Sequence, residues 1–200
     1  MSELKVALVP VGKMDAAEVE EAAARVSKAI AKPVELREPL AHPKGAEDVA
    51  RGQFRAPAIL AEARAALPLL KARKLAGGPA GVPSVPTARP DAVVLVTDLD
   101  IFSPGTASVM QEADAPHRLA IVSVRRLREA FYRRKPDPAK QRARLVKEIL
   151  QAIGKVQGLR DCGDPGCAMT PTQAVTDLDR KGEHYCPACW KRLSTGTMRI

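Results

Sequence analysis

Aromatic side chains are scarce in this 200-residue chain: three Phe, two Tyr and one Trp, 3% of the total. Hydrophobic residues nevertheless make up 46%. A sizeable core is therefore expected, and it must be built from Ala, Val, Leu and Ile. The shortage also removes the stacking platforms that single-stranded nucleic acids use. No apolar run reaches the roughly 18 residues that cross a bilayer. The start, "MSELKVALVPVG", lacks an apolar run followed by a small-residue cleavage site. A soluble, cytoplasmic protein with no membrane partner is the expectation. Histidine occurs only at His42, His117 and His184, which restricts any metal chemistry. Cysteine is missing from the first 161 residues.

The charge is unevenly spread. The net charge is +9. Between Arg125 and Arg160 there are 12 Lys and Arg against Glu129, Asp137 and Glu148, which accounts for the whole excess. A basic segment attracts phosphates. Without aromatic interleaving, the plainer expectation is a solvated face of an Arg-rich helix. Nucleic acid is a weak partner candidate.

Along the chain, "KVALVPVG" reads as a strand. Asp15 is placed as a cap, and Val19, Ala22, Val26 and Ile30 recur at helical spacing after it. "PVELREPL" reads as a second strand, and Arg51–Leu67 as a helix with Pro57 in its first turns. The Gly- and Pro-rich stretch 76–90 reads as an exposed loop. "DAVVLVTDLDIF" is the strongest strand signal, apolar without alternation from Val93 to Val96, as for a strand covered on both faces. "TASVMQEA" and "LAIVSVRRL" are further strands, and "PDPAKQRARLVKEILQAIGKVQ" is a long helix. Strands alternating with helices give the α/β class. The composition changes after Gly158, so the chain divides into residues 1–157 and a tail, 158–200.

Cys162-x4-Cys167 and Cys186-Pro-Ala-Cys189 lie in that tail. Two thiol pairs on tight turns match a four-cysteine zinc site. A redox pair at Cys186/Cys189 and unrelated buried thiols are the alternatives. Four thiolates fill a tetrahedral ion and leave no position for water, so one structural zinc is expected. Such an ion contributes on the order of 10 kcal/mol to folding. His184 is close by and is expected to be exposed rather than a ligand.

The stretch "GLRDCGDPGCAM…DLDRKGEHYCPAC" resembles the archaemetzincins, zinc metalloproteases of the metzincin group. Their signature is similar to H-E-x-x-H-x-x-G-x-x-H-C-x4-C-x-M, a gap of about 17, then C-x-x-C. Gly158, Cys162, Cys167, Met169, Cys186 and Cys189 match, with a gap of 16 residues after Met169. "RGQFRAPAIL", "VLVTDLDIFSPG", "QEAD" and "AIVSVRRLRE" resemble upstream segments of the family in order. The resemblance implies a mixed twisted sheet with packed helices and a small C-terminal subdomain on the four-cysteine site. It also implies a catalytic zinc held by three histidines, with a Glu as general base. At those positions this chain has Gln151, Lys155 and Asp161, and Ala152 in place of the Glu. Lys155 is a cation at neutral pH and repels a divalent ion. Ala152 cannot move a proton. Shifting the motif four residues earlier puts Glu148 at the base position but Lys147 and Gln151 at histidine positions.

These substitutions point to a non-catalytic relative with one structural zinc that binds a peptide or protein in the former cleft. A peptidase with unusual ligands and a nucleic-acid-binding zinc protein are the alternatives. Lys155 is expected to replace the missing ion by pairing with Asp161 across the Gly158 turn. Met169, which corresponds to the family's Met-turn residue, is expected to pack as ordinary core. "TASVMQEAD" corresponds to the family's substrate-aligning edge strand and could accept an extended peptide by strand addition.

Overall fold

The computed structural model describes residues 4–69, 72–73 and 90–195. The expected 76–90 loop lies outside the described residues up to residue 89. Strand β1 (Val6–Val11), helix α1 (Ala16–Ile30) and strand β2 (Val34–Arg37) form the first β–α–β unit, with Val6 opposite Val34 in parallel register. Asp15 caps α1, its carboxylate accepting from the Ala17 N–H at 2.9 Å. The anticipated stripe of Val19, Ala22, Val26 and Ile30 is buried, joined by Ala23.

Four parallel strands make the centre of the main sheet: β2, β1, β6 (Ala92–Thr97) and β9 (Leu119–Ser123). Short antiparallel strands close its described edges, β5 (Ala72–Arg73) beside β2 and β8 (Gln111–Asp114) beside β9. Every residue of β6 is buried. Successive side chains of a strand point to opposite faces, and both faces are covered. Val94 and Val96 face α1 and α3 (Pro138–Val156). Val93 and Leu95 join Ile59, Leu60 and Ala63 of α2 (Ala56–Ala66). This is why the sequence shows no alternation there.

Two expected elements come out shorter. The helix anticipated from Arg51 begins at Ala56, and Gln53–Arg55 form strand β4 instead. Gly52 turns the chain at φ 61°. Pro57 then sits in the first turn of α2, where its missing N–H costs no helical hydrogen bond. Strand β4 pairs with β3 (Glu47–Asp48) and with β7 (Ile101–Phe102) in a second small sheet. The strand anticipated from Thr106 starts only at Gln111, because the Thr106 N–H closes a turn on the Ser103 carbonyl.

Within the basic run, Arg144 and Lys147 are buried rather than part of a solvated face, while the other ten basic residues are exposed or half-buried. Arg144 is fully buried. Its guanidinium donates to both Asp179 oxygens at 2.8 Å and to the Leu127 carbonyl at 2.7 Å, and forms an ion pair with Glu129 at 2.5 Å. Lys147 donates to the Leu178 carbonyl at 2.6 Å, and Arg126 grips Asp100 with two bonds. A buried cation needs partners: Arg144 and Arg126 have carboxylates, and Lys147 has the Leu178 carbonyl. The Arg144 and Lys147 contacts tie α3 to α4 (Val175–Arg180). Val175, Leu178, Tyr185 and Leu193 extend the apolar cluster of α1, α3 and the sheet into the C-terminal segment, which ends with α5 (Pro187–Thr195).

Candidate functional site

The two cysteine pairs converge. The Sγ atoms of Cys162, Cys167, Cys186 and Cys189 all lie within 4.8 Å of one another. A tetrahedral ion with bonds of about 2.3 Å sets its ligands roughly 3.8 Å apart, and Cys162 Sγ and Cys186 Sγ are 3.8 Å apart. Backbone N–H groups of Asp164, Met169 and Cys186 point at the sulfurs of Cys162 and Cys167 at 3.3–3.5 Å. The Cys189 N–H holds the Cys186 thiol below its ordinary range, while burial pushes Cys167 and Cys189 up. The donor set fits zinc, with protons displaced from buried thiols on binding. Tyr185 locks the cluster to α3, its hydroxyl donating to the Leu150 carbonyl at 2.6 Å. His184 is exposed and contributes its carbonyl, which accepts from Ala168 at 2.8 Å.

Helix α3 ends one turn before this cluster. Gly158, at φ 81°, takes the left-handed turn that only glycine adopts freely. Its N–H bonds the Lys155 carbonyl and the Leu159 N–H bonds that of Gly154, so the chain reverses into the cysteine turn. Met169 is fully buried under α3, where a Cβ on Gly154 would lie 2.3 Å from its sulfur.

A cleft of about 470 Å³ runs between α3 and the β8 edge of the sheet. Glu148, Gln151 and Lys155 reach it from α3, Gln111 and Met110 from the edge, and Arg134 from the basic segment. The spacing 148, 151, 155 puts the three on one helix face. Gln151 is 1% exposed and is a hydrogen-bond hub. Its Oε1 accepts from Gln111 Nε2 at 2.7 Å, from Lys181 Nζ at 3.0 Å and from Thr172 Oγ1 at 3.3 Å, and its Nε2 donates to the Thr170 carbonyl at 2.9 Å.

Lys181 is the cation of the site. Its Nζ also donates to Thr172 Oγ1 at 2.8 Å and to the carbonyls of Ala168 and Thr170 at 3.2 and 3.3 Å, with Glu148 Oε1 at 3.7 Å. Both charged side chains are fully buried. Burial pushes the Glu148 carboxyl up and the Lys181 ammonium down, against their mutual attraction. The oxygens that accept from Nζ oppose the loss of its proton.

The family model for peptidase family M54 matches residues 91–195. The chain belongs to peptidase family M54. An archaemetzincin of Methanocaldococcus jannaschii is 36% identical over 110 residues, which is 55% of this chain and 61% of that protein. One of Methanopyrus kandleri is 34% identical over 109 residues, 54% of this chain and 59% of the relative. These matched stretches thus span about three-fifths of each relative's length. The crystal structure of the Methanopyrus kandleri archaemetzincin superposes with a TM-score of 0.74 at 28% identity, covering 98% of this chain and 96% of that one. A zinc-dependent peptidase from Methanocorpusculum labreanum shares the fold, with a TM-score of 0.78 at 24% identity, over 94% of this chain and 99% of that one.

Within this M54 chain, the positions that the resemblance assigns to catalysis scatter. Gln151 and Lys155 line the cleft, Ala152 is fully buried away from its lining, and Asp161 is exposed beside the cysteine turn. Lys155 and Asp161 form no ion pair among the described residues. The internal cation is Lys181 instead, 20 residues beyond Asp161 in the chain. Gly158 carries the chain out of α3 toward the zinc knuckle, whereas Lys181 is returned to Gln151 by α4. Lys181 and Gln111 lie in stretches that resemble the family, but nothing in the sequence marks either as a partner of Gln151, and only the tertiary fold puts them there. Among the described residues, no helix is long and apolar enough to cross a membrane.

Proposed function

We propose that this M54 protein carries one structural zinc, in its four-cysteine site, and is not a working peptidase. Its cleft instead binds an extended peptide or protein segment along the β8 edge. The observation that carries the reading is the saturation of Gln151. Its Oε1 already accepts from Gln111 and from the Lys181 ammonium, one hydrogen bond for each of its two lone pairs. A hydrolytic zinc needs a free electron pair at that position and no cation about 3 Å away. Ala152 offers no carboxylate to take a proton from water. The β8 edge supports the binding half of the reading, since its outer side lacks a partner strand among the described residues. Four free cysteines suit a reducing, cytoplasmic setting.

The test is metal content and activity together. Elemental analysis of the purified protein is expected to give one zinc per chain, and a peptide-library digest with added zinc is expected to give no cleavage. Introducing Gln151→His, Ala152→Glu, Lys155→His and Asp161→His together is expected to raise the zinc content to two. A second zinc in the unaltered protein, or peptide cleavage that a zinc chelator stops, would refute the proposal.

A further inference from the structure

The charges around the cleft do not balance. Arg126, Arg134 and Lys155 line it, against one acid, Glu148. Two of these four are matched on the spot. Arg126 is held by Asp100 with bonds of 2.6 and 2.8 Å, and Glu148 has Lys181 at 3.7 Å. Whether Glu148 is ionised or protonated, a charged Lys181 leaves that pair neutral or positive. Arg134 shares Glu129, at 3.4 Å, with Arg144 and Lys140, and the latter two also hold Asp179. Three cations against two carboxylates leave one positive charge over. Lys155 is the second. It is half-buried on the cleft, and its ammonium makes no hydrogen bond or ion pair among the described residues. A partly desolvated cation without a partner gains more from an incoming countercharge than one on open surface does.

Accepting that the cleft binds an extended peptide, we propose that it selects an acidic one, with an Asp or Glu side chain set against Lys155. Strand β8 fixes how that side chain enters. Gln111 bonds Gln151 of α3, and Ala113 packs on the apolar cluster that α3 shares, so both face the helix. A strand added to the outer side of β8 alternates in the same way, and every second side chain of the peptide points toward α3. Lys155 stands on the α3 face that lines the cleft. A carboxylate there accepts a charge-assisted hydrogen bond from the ammonium, and Arg134 adds attraction at longer range. A Gln side chain offers only a neutral acceptor. A Lys side chain adds a like charge, and an apolar one leaves Lys155 unmatched. A nucleic-acid phosphate would meet the same charges, but Tyr132 is the one aromatic side chain among the lining residues, which gives bases little to stack on.

The experiment is a positional scan of C-terminally amidated octapeptides against the full-length zinc-loaded chain. At the position that responds, fluorescein-labelled Glu, Gln, Lys and norleucine peptides are compared by polarisation. Glu is expected to bind about tenfold more tightly than Gln at low salt, with the ratio shrinking as salt is raised. In Lys155→Met, whose fold is checked by its melting curve, the Glu-to-Gln ratio is expected to fall to near one. In Lys155→Glu the Lys peptide is expected to bind best. Equal binding of the Glu and Gln peptides, or a Glu advantage that survives in Lys155→Met, would overturn the selectivity while leaving the peptide-binding reading intact. Tighter binding of a peptide whose sole carboxylate is a free C-terminus, or of a single-stranded oligonucleotide, would overturn it too. Failure of every peptide to bind would overturn both readings.

Discussion

Replacing Lys181 with Met tests whether an ammonium holds this site together. The substitution keeps an unbranched side chain that fills the space, and removes the charge from a cage of oxygens at 2.8–3.3 Å. It leaves Glu148 fully buried without its countercharge at 3.7 Å. Breaking a buried pair from one side costs about 3–5 kcal/mol. Two contacts soften the loss, since the Thr170 carbonyl keeps Gln151 and Thr172 still donates to Glu148 at 3.2 Å. About 3 kcal/mol at pH 7 is therefore expected, or roughly 6–12 °C in melting temperature for a chain of this size. The loss should depend on pH. Burial holds the Glu148 carboxyl above its ordinary value of 4.5, and losing Lys181 removes the main opposing attraction. A folded state that keeps a proton the unfolded state has released is most stable below the unfolded pKa. That stability is lost as pH rises through the folded pKa. Urea titrations at pH 7 and pH 5 should then show a deficit that shrinks in acid. Adding Glu148→Leu should restore most of the stability at pH 7. A Lys181→Met protein within 1 kcal/mol of the parent at pH 7, or a deficit unchanged at pH 5, would refute the reasoning about the cage.

Arg144→Met should cost about 3–5 kcal/mol in urea unfolding, because it strips the countercharge from Glu129 and Asp179. Burial works against both carboxylates, but Arg144 and Lys140 outweigh it and hold them below their ordinary range. Their contribution is present above the unfolded pKa and is lost as pH falls through the folded one, so the parent should weaken more steeply than the variant below about pH 4. Gly182→Ala should destabilise by about 1–3 kcal/mol and release zinc faster to a chelator. Its Cβ would sit 2.6 Å from the Gly166 carbonyl oxygen in the cysteine turn and 2.5 Å from the His184 ring.

The sequence by itself determined what repeats or is locally closed. The α1 stripe, its Asp15 cap and the unalternating Val93–Val96 run were legible because burial imposes a period on helices and a continuous apolar run on covered strands. The cysteine quartet was legible because a tetrahedral ion fixes ligand types and spacing within two short turns. The tertiary structure alone decided the polar interior. Arg144 and Lys147 read as solvated charges, since a one-dimensional pattern cannot show that Asp179 and the Leu178 carbonyl wait for them across α4. Lys155 and Asp161 read as partners because the resemblance puts both at metal-ligand positions, whereas Lys181 reaches Gln151 through the fold. Long-range pairing of buried charges depends on where distant segments meet, and no periodicity along the chain records that.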